Sequence, residues 1–384
     1  QQLAPEVPVF DVISMREAVS GGNGFFLLRV AATCAATLGL LGLVLAAVGL
    51  YGVVAYSVGQ RTHEIGIRMA LGAERRTILA MVVGHGLRLV AVGSAAGIVV
   101  ALGLSRFVAS LLVEHGHAGP VIGIVCDGTG YGTDGAIWGC ECMIASLTQF
   151  ERFGHLDYYP LAGADRASKE AIRPLLSLLR QAHGEHFRLS DFAWLLERIE
   201  PDATRLAMLF EQIERGVNTV STSSLGRVFD AVAAVAGLGG YNHFDAQLPM
   251  ALESIVDPRV DACYPFDLIE REGEPVKVNL RAMIRQIVEE TRHGDDVGSL
   301  SAKFHNTLAE ALLAAALAAR RRVDLNVVAF SGGVFCNRYL ASRLIARFKE
   351  AGFTVLCNRD VPANDGGIAL GQAAIAACLL DRDS

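Results

Sequence analysis

VIGIVCDGTGYGTDGAIWGCECMIASL, Val121 to Leu147, decides the fold. Val121 to Cys126 is a short apolar run of the kind that becomes a buried strand, and AIWGCECMIASL reads as a second strand after a glycine-rich turn. The intervening DGTGYGTDG invites a dinucleotide-binding reading, but the glycines stand at GxGxG spacing and no amphipathic helix follows. A strand, an Asp-Gly loop and a returning strand instead predict a hairpin that holds phosphates. Gly128, Gly130 and Gly132 let backbone amides approach phosphate oxygens, and Asp127 can hold a metal or its water. An ordinary glycine-rich hairpin turn is the plain alternative.

A second glycine site supports the first. LNVVAFSGGVFCNRYLASRLIARFKEAG, Leu325 to Gly352, reads as a buried strand to Phe330, a tight Ser-Gly-Gly turn and a helix starting near Asn337. Such a turn aims amides and the helix dipole at an anion, and Gly332 and Gly333 remove obstructing side chains. The strand FTVLCN follows, and then RDVPANDGGIALGQAAIAACLL, in which Asn364, Asp365 and Gly366 open the last helix. An Asp there reaches a metal or ribose, or simply caps the helix; spacing alone does not separate these roles.

The chain has 384 residues, 52% hydrophobic and 19% charged, with net charge −6. These averages hide two populations. Residues 1–113 carry few charges, and residues 114–384 have the charge density of an ordinary soluble protein with an acidic excess. That balance gives no reason to expect nucleic acid as a partner. The 8 cysteines include no CxxC pair, so neither a zinc knot nor a disulfide framework is expected, and a reducing compartment suits residues 114–384. The start, QQLAPEVPVF, has no basic segment before an apolar run and does not read as a signal peptide.

Between Arg29 and Arg61 lies an uncharged run longer than the roughly 20 residues a helix needs to cross a bilayer. A second uncharged run, Leu89 to Ser105, continues into apolar Phe107 to Val113 and is rich in Gly and Ala. Two transmembrane helices are therefore expected, at about 30–57 and 87–111, with a buried helix of a soluble protein as the alternative for each. The loop between them carries Arg61, Arg68, Arg75 and Arg76, which the positive-inside rule places in the cytoplasm. The chain is then expected to be membrane-inserted through residues 1–113, with everything after residue 113 outside.

GLYGVVAYSVGQRTHEIGIRMALGAERRTIL, within residues 3–113, resembles the permease family of FtsX and MacB type ABC transporters. The resemblance implies a permease fragment with two helices of a four-helix unit.

Residues 114–384 resemble the carbamoyltransferase of hydrogenase maturation, the HypF family. VIGIVCDGTGYGTDGAIWG, FGHLDYYPLAGAD, TSSLGRVFDAVAAVAGL, FHNTLAEAL, FSGGVFCN and VPANDGGIALGQAAIA fall in the family's order and spacing. The resemblance implies an α/β actin-like ATPase fold of two lobes, the first truncated at its start and lacking its opening strands. It implies transfer of a carbamoyl group from carbamoyl-adenylate, made from carbamoyl phosphate and ATP, to the C-terminal cysteine of a HypE-like partner in cyanide-ligand synthesis for the nickel-iron centre. The family is cytoplasmic. By the same resemblance Asp127, Gly128, Thr129, Gly130 and Gly132 lie at the phosphates, and Ser331, Gly332, Gly333 and Asn337 form a second nucleotide loop. Asn364 and Gly366 belong to a third, and Asp365 ligates a divalent metal (Mg, Fe or Zn). Asp165 matches the acidic end of the family's PGGD segment near the nucleoside, with Ala164 in place of its central glycine. Asp230 and Arg227 line the cleft, or Arg227 makes a structural ion pair.

Departures accompany these matches. The family's HHHAH run, which shares the metal, has no counterpart here. His115 and His117 stand nearby as stand-in ligands or as exposed histidines. Asp245 replaces a family Glu, and Pro249 replaces a small helix former. The expectation is a HypF-like carbamoyltransferase domain weakened by the missing histidines and adenylate-forming domain. The alternative is a permease fragment with an inert nucleotide-binding domain, joined by gene fusion or assembly.

Overall fold

The structure is a computed structural model that describes residues 105–117, 119–163, 165–363 and 365–380. In chain order the elements are α1 (Ser105–Glu114), the strands β1 (Val121–Tyr131), β2 (Ile137–Ala145), β3 (Phe150–Leu156) and β4 (Tyr159–Ala162), then α2 (Arg166–Lys169) and α3 (Ile172–His183). There follow α4 (Ala193–Ile199), α5 (Ala203–Glu214), β5 (Thr219–Thr222), α6 (Leu225–Val235) and α7 (Gln247–Ser254). The last part contains β6 (Asp267–Ile269), β7 (Val276–Asn279), α8 (Arg281–His293), α9 (Val297–Val323), β8 (Val327–Ser331), α10 (Arg338–Glu350), β9 (Thr354–Cys357) and α11 (Ile368–Leu380).

The 9 described strands join one mixed sheet of order β6-β7-β3-β2-β1-β8-β9, with β4 and β5 attached beside β2. β1 runs antiparallel to β2 and parallel to β8, which is in turn parallel to β9. A central strand covered on both faces needs a continuous apolar run, and Val121 to Cys126 are all buried. Ile122, Ile124 and Cys126 face a core built with α6 and the long α9. Val121 and Val125 face the other way, toward Val108, Leu111 and Leu112 of α1. Gly123 lies on that second face, where a Cβ would come 3.0 Å from a Val108 methyl.

Two expectations are overturned here. Ser105–Glu114, the end of the second expected membrane span, is a 10-residue helix of the α/β domain. Val108, Leu111 and Leu112 are each 0% exposed and pack on the sheet rather than on lipid. The helix is anchored at its far end, where Glu114 Oε1 accepts from the amides of Arg359 and Asp360, each at 2.7 Å. His115 Nε2 lies 2.8 Å from the Cys357 carbonyl oxygen. No helix among the described residues is long and apolar enough to cross a membrane. The expected membrane hairpin, and the membrane insertion inferred from it, therefore lose support; residues 30–57 and 87–104 lie outside the described residues. The physical reason is that a sheet face and a lipid tail hide apolar side chains equally well, so an apolar run alone does not choose between them.

The two-lobed arrangement is corrected as well. All described strands belong to one sheet, and β1, expected in a lobe that lacks its opening strands, is flanked on both sides by β2 and β8.

Candidate functional site

The β1–β2 ladder holds register from Val121↔Ala145 to Cys126↔Cys140, then shifts before Gly130↔Trp138. Asp127, Gly128 and Thr129 fall in that irregularity, a bulge that takes them out of the ladder and re-aims them. Asp127 Oδ1 accepts from the Gly128 amide at 2.7 Å. The bulge is held from behind by the start of α6. Ser224, the N-cap of α6, donates its hydroxyl hydrogen to the Gly128 carbonyl and accepts from the Arg227 amide at 3.2 Å. Gly226 permits this approach, because a Cβ there would stand 2.9 Å from Gly128 Cα.

The Ser-Gly-Gly turn after β8 meets the bulge from the other side. Gly332 has φ +107°, and a Cβ on it would lie 2.2 Å from the Cys126 carbonyl oxygen, so only glycine fits. Its amide donates to Ala363 O at 2.9 Å, tying the turn to the segment before α11. A Cβ on Gly333 would stand 3.1 Å from Asp127 Oδ1. Gly333–Cys336 forms one 3-10 turn, and Asn337 then caps α10 by accepting from the Leu340 amide at 2.9 Å.

These segments line a cavity of about 680 Å³, within the usual range for small-molecule sites. Asp127, Gly128, Thr129, Gly333, Asn337 and Gly366 all line it. Three glycine-bearing segments distant in sequence therefore converge. The opposite wall is α7 with its preceding turn, contributing Asp245, Pro249 and Glu253. Pro249 lies in the first turn of α7, where its missing N–H removes no helix hydrogen bond, so the substitution is tolerated.

Arg227 lines the cavity and pairs with Asp230, Nε to Oδ2 2.9 Å, so both readings of this arginine hold. Asp230 is 0% exposed and does not reach the cavity. Burial pushes its carboxyl up to about 6, against the opposing pull of Arg227 and of the Asn242 amide at 2.9 Å. Burial and the nearby Asp127 raise the Cys336 thiol, which also lines the cavity. The lining thus carries the carboxylates of Asp127, Asp245 and Glu253 against one guanidinium that is already paired. Net charge therefore does not draw an anion into this cavity.

Several expected residues stand elsewhere. Gly130 pairs with Trp138 in the ladder, and the Gly132 amide donates to Ala136 O at 2.9 Å, so these two serve the hairpin turn, the plain alternative for them. Ser331 is buried at the end of β8 opposite Val125, outside the lining. Asp165 is exposed and outside the lining, while Ser168, on the short helix α2 that Asp165 precedes, lines it. Asn364 lies outside the described residues, as does the side chain of Asp365. His115 and His117 are half-buried and not among the lining residues.

The expected aim of the α10 dipole is also altered. Glu253 Oε1 accepts from the amides of Arg338 at 2.7 Å and Tyr339 at 3.1 Å, so the first turn of α10 is capped by protein. Glu253 had no local signal, since its partners lie 85 and 86 residues away. Ser224 did have one, because a serine directly before an apolar helical run is an N-cap signature.

Of the metal site that the resemblance implies, the one ligand named in this sequence, Asp365, has its side chain outside the described residues. Among the described residues no group of three or more His, Cys, Asp or Glu could hold a metal ion.

Two stretches of the chain match known families. Residues 36–122 match the FtsX-like permease C-terminal model. The macrolide export ATP-binding/permease protein MacB of Brucella abortus is 35% identical over 83 residues, 21% of this chain and 13% of that protein. Carbamoyltransferase HypF of Synechocystis sp. is 33% identical over 276 residues, covering 68% of this chain and 35% of the relative. The crystal structure of full-length HypF in the phosphate- and nucleotide-bound form superposes with a TM-score of 0.67 at 38% identity, over 72% of this chain and 35% of that one. The chain thus spans about a third of the length of these HypF relatives. Residues 123–372 match the family model described as carbamoyltransferase, Kae1-like domain, second subdomain, and the chain belongs to that family.

Proposed function

We propose that the cavity binds the phosphate-bearing part of a nucleotide and that the domain acts in carbamoyl transfer. The observation that carries this is the convergence of the Asp127–Thr129 bulge, the Gly333–Asn337 turn and Gly366 on one cavity. A solved relative of the same family is described as phosphate- and nucleotide-bound, which supports the reading.

In this reading the ligand is carbamoyl-adenylate, derived from ATP. Gly128 and Gly333 leave the space that phosphate oxygens need, and Arg227 stands at the Gly128 end with its guanidinium toward the lining. The acceptor is the C-terminal cysteine of a HypE-like protein. Its thiolate attacks the carbamoyl carbon, the carbon–oxygen bond to the adenylate phosphate breaks, and AMP leaves with the electron pair. The product is a thiocarboxamide. The HHHAH run of the family has no counterpart in this sequence, so transfer by this chain alone is weakened.

Titration calorimetry with ATP on the full chain tests the site. Binding by the wild type that falls about tenfold or more in Gly333→Asp supports it, because the new carboxylate would crowd Asp127 and the phosphates. Equal affinity in the two proteins refutes the assignment. Absence of binding in the wild type favours the inert nucleotide-binding domain instead.

A further inference from the structure

His305 is 0% exposed in the middle of α9, inside the FHNTLAEAL stretch, and takes no part in the site described above. Its Nδ1 lies 2.7 Å from the Ser301 carbonyl oxygen, and its Nε2 lies 2.9 Å from Asn337 Nδ2. The ends of this chain of contacts are unambiguous. A carbonyl oxygen only accepts, so Nδ1 carries the hydrogen and Nε2 is an acceptor. At the other end the Leu340 amide only donates, at 2.9 Å, so it faces Asn337 Oδ1. The Asn337 amide nitrogen must then face His305. Two groups of fixed polarity thus set the tautomer of the histidine and the flip of the asparagine between them.

We propose that His305 is a positioning residue for the cavity: its neutral imidazole, tethered to the backbone of α9, locks Asn337 as cap of α10 and leaves the second Asn337 amide hydrogen for a ligand at the Gly333 turn. This rests on the nucleotide reading of the cavity that Asn337 lines.

The relay works only while His305 is neutral. A proton on Nε2 would place a donor against the Asn337 amide donor, and flipping the amide would break the Leu340 cap. The surroundings keep it neutral. Phe229 of α6, Phe304 of its own helix and Tyr339 of α10 ring the imidazole at 5.4 to 5.6 Å between centroids. Charged groups on the packed elements pair elsewhere: Arg227 with Asp230 on α6, Glu253 of α7 with the α10 amides, Lys303 of α9 with Glu290, and Arg343 and Arg347 of α10 with Asp261 and Glu310, while Arg338 is exposed. Burial accordingly depresses the imidazole to about 4. Ser301, which anchors the relay, also donates its hydroxyl to Leu252 O of α7 at 2.6 Å, so the same turn of α9 fastens the opposite wall of the cavity.

The test uses the full chain, ATP as probe in calorimetry, and nitrogen NMR of 15N-histidine-labelled protein. The expected spectrum shows His305 as the neutral Nδ1–H tautomer at neutral pH; an Nε2–H tautomer or an imidazolium there overturns the proposal whether or not ATP binds. His305→Phe leaves the Asn337 donor without its acceptor and is expected to weaken ATP binding by about tenfold. His305→Gln places an amide oxygen near the lost Nε2 and cannot be protonated there. It is expected to retain affinity within a few-fold and to lose less affinity than the wild type as the pH falls through about 4. Wild-type affinity in His305→Phe, or identical pH profiles in wild type and His305→Gln, overturns the proposal. If His305→Phe does not fold, the tautomer and the His305→Gln profile still decide. Loss of ATP binding by the wild type would count against the nucleotide reading, leaving the tautomer to judge the relay.

Discussion

Gly332→Ala separates packing from ligand space in the Ser-Gly-Gly turn. Gly332 sits at φ 107° and ψ 156°, a region that residues with a side chain hardly enter, at a strain of about 1–3 kcal/mol. The added methyl would also meet the Cys126 carbonyl oxygen at 2.2 Å, with the Cys126 carbonyl carbon at 2.7 Å. Cys126 belongs to the central strand and cannot retreat without disturbing β2, so overpacking adds about 1–3 kcal/mol. A total loss of about 2–6 kcal/mol is expected, read as a lowered urea midpoint of the full chain at nearly unchanged slope. Gly333→Ala supplies the contrast. Its backbone is unstrained, and its Cβ at 3.1 Å from Asp127 Oδ1 asks for a shift of a few tenths of an ångström. Stability is expected to hold within about 1 kcal/mol while ATP affinity falls. A Gly332→Ala protein with the wild-type urea midpoint would refute the close approach of the turn to β1 and the packing argument built on it.

Arg227→Met leaves Asp230 buried without its counter-ion and should cost about 3–5 kcal/mol by chemical denaturation; adding Asp230→Asn should restore most of that loss. Stability should also depend on pH in a defined window. His305 and His155 are both depressed by burial to about 4, so the unfolded chain binds their protons first; each contributes about 3 kcal/mol that is complete above pH 6.5 and is lost as the pH falls through 4. Asp230, raised to about 6, acts in the opposite direction: ionising it in the folded state costs about 3 kcal/mol, and protonation below pH 6 removes that cost. The net expectation is a loss of about one histidine's contribution between pH 6.5 and 4, and His305→Gln should flatten the wild-type profile of thermal midpoint against pH. Leu111→Ala tests the placement of α1. As a core residue at 0% exposure it should cost about 2–5 kcal/mol, and a loss below about 0.5 kcal/mol would contradict the packing of α1 on the sheet.

Much of the site was legible because its determinants are local. A six-residue apolar run followed by Asp-Gly declares a buried strand with a loop at its end, and Ser-Gly-Gly before an amphipathic helix declares a tight turn; both lie at the cavity. The glycines were harder to sort. Gly128 and Gly333 leave room at the cavity, Gly332 permits a backbone crossing, and Gly130 and Gly132 serve a hairpin. A glycine shows that space is needed but not what fills it. Asp165 was placed by its motif, and a helical turn brought Ser168 to the lining in its stead.

The sequence by itself determined β1, β2, β8 and β9, the glycine turns after β1 and β8, and the kinship of residues 123–372 with the carbamoyltransferase family, since these follow from short runs of neighbouring residues and their order. Tertiary structure alone decided where α1 goes, because hydrophobicity drives an apolar helix out of water without naming the surface that receives it. It likewise decided that Glu253 caps α10 and that His305 orients Asn337. Those contacts join residues 85 and 32 positions apart, and a hydrogen bond depends on distance and direction in space, which no local pattern in the chain encodes.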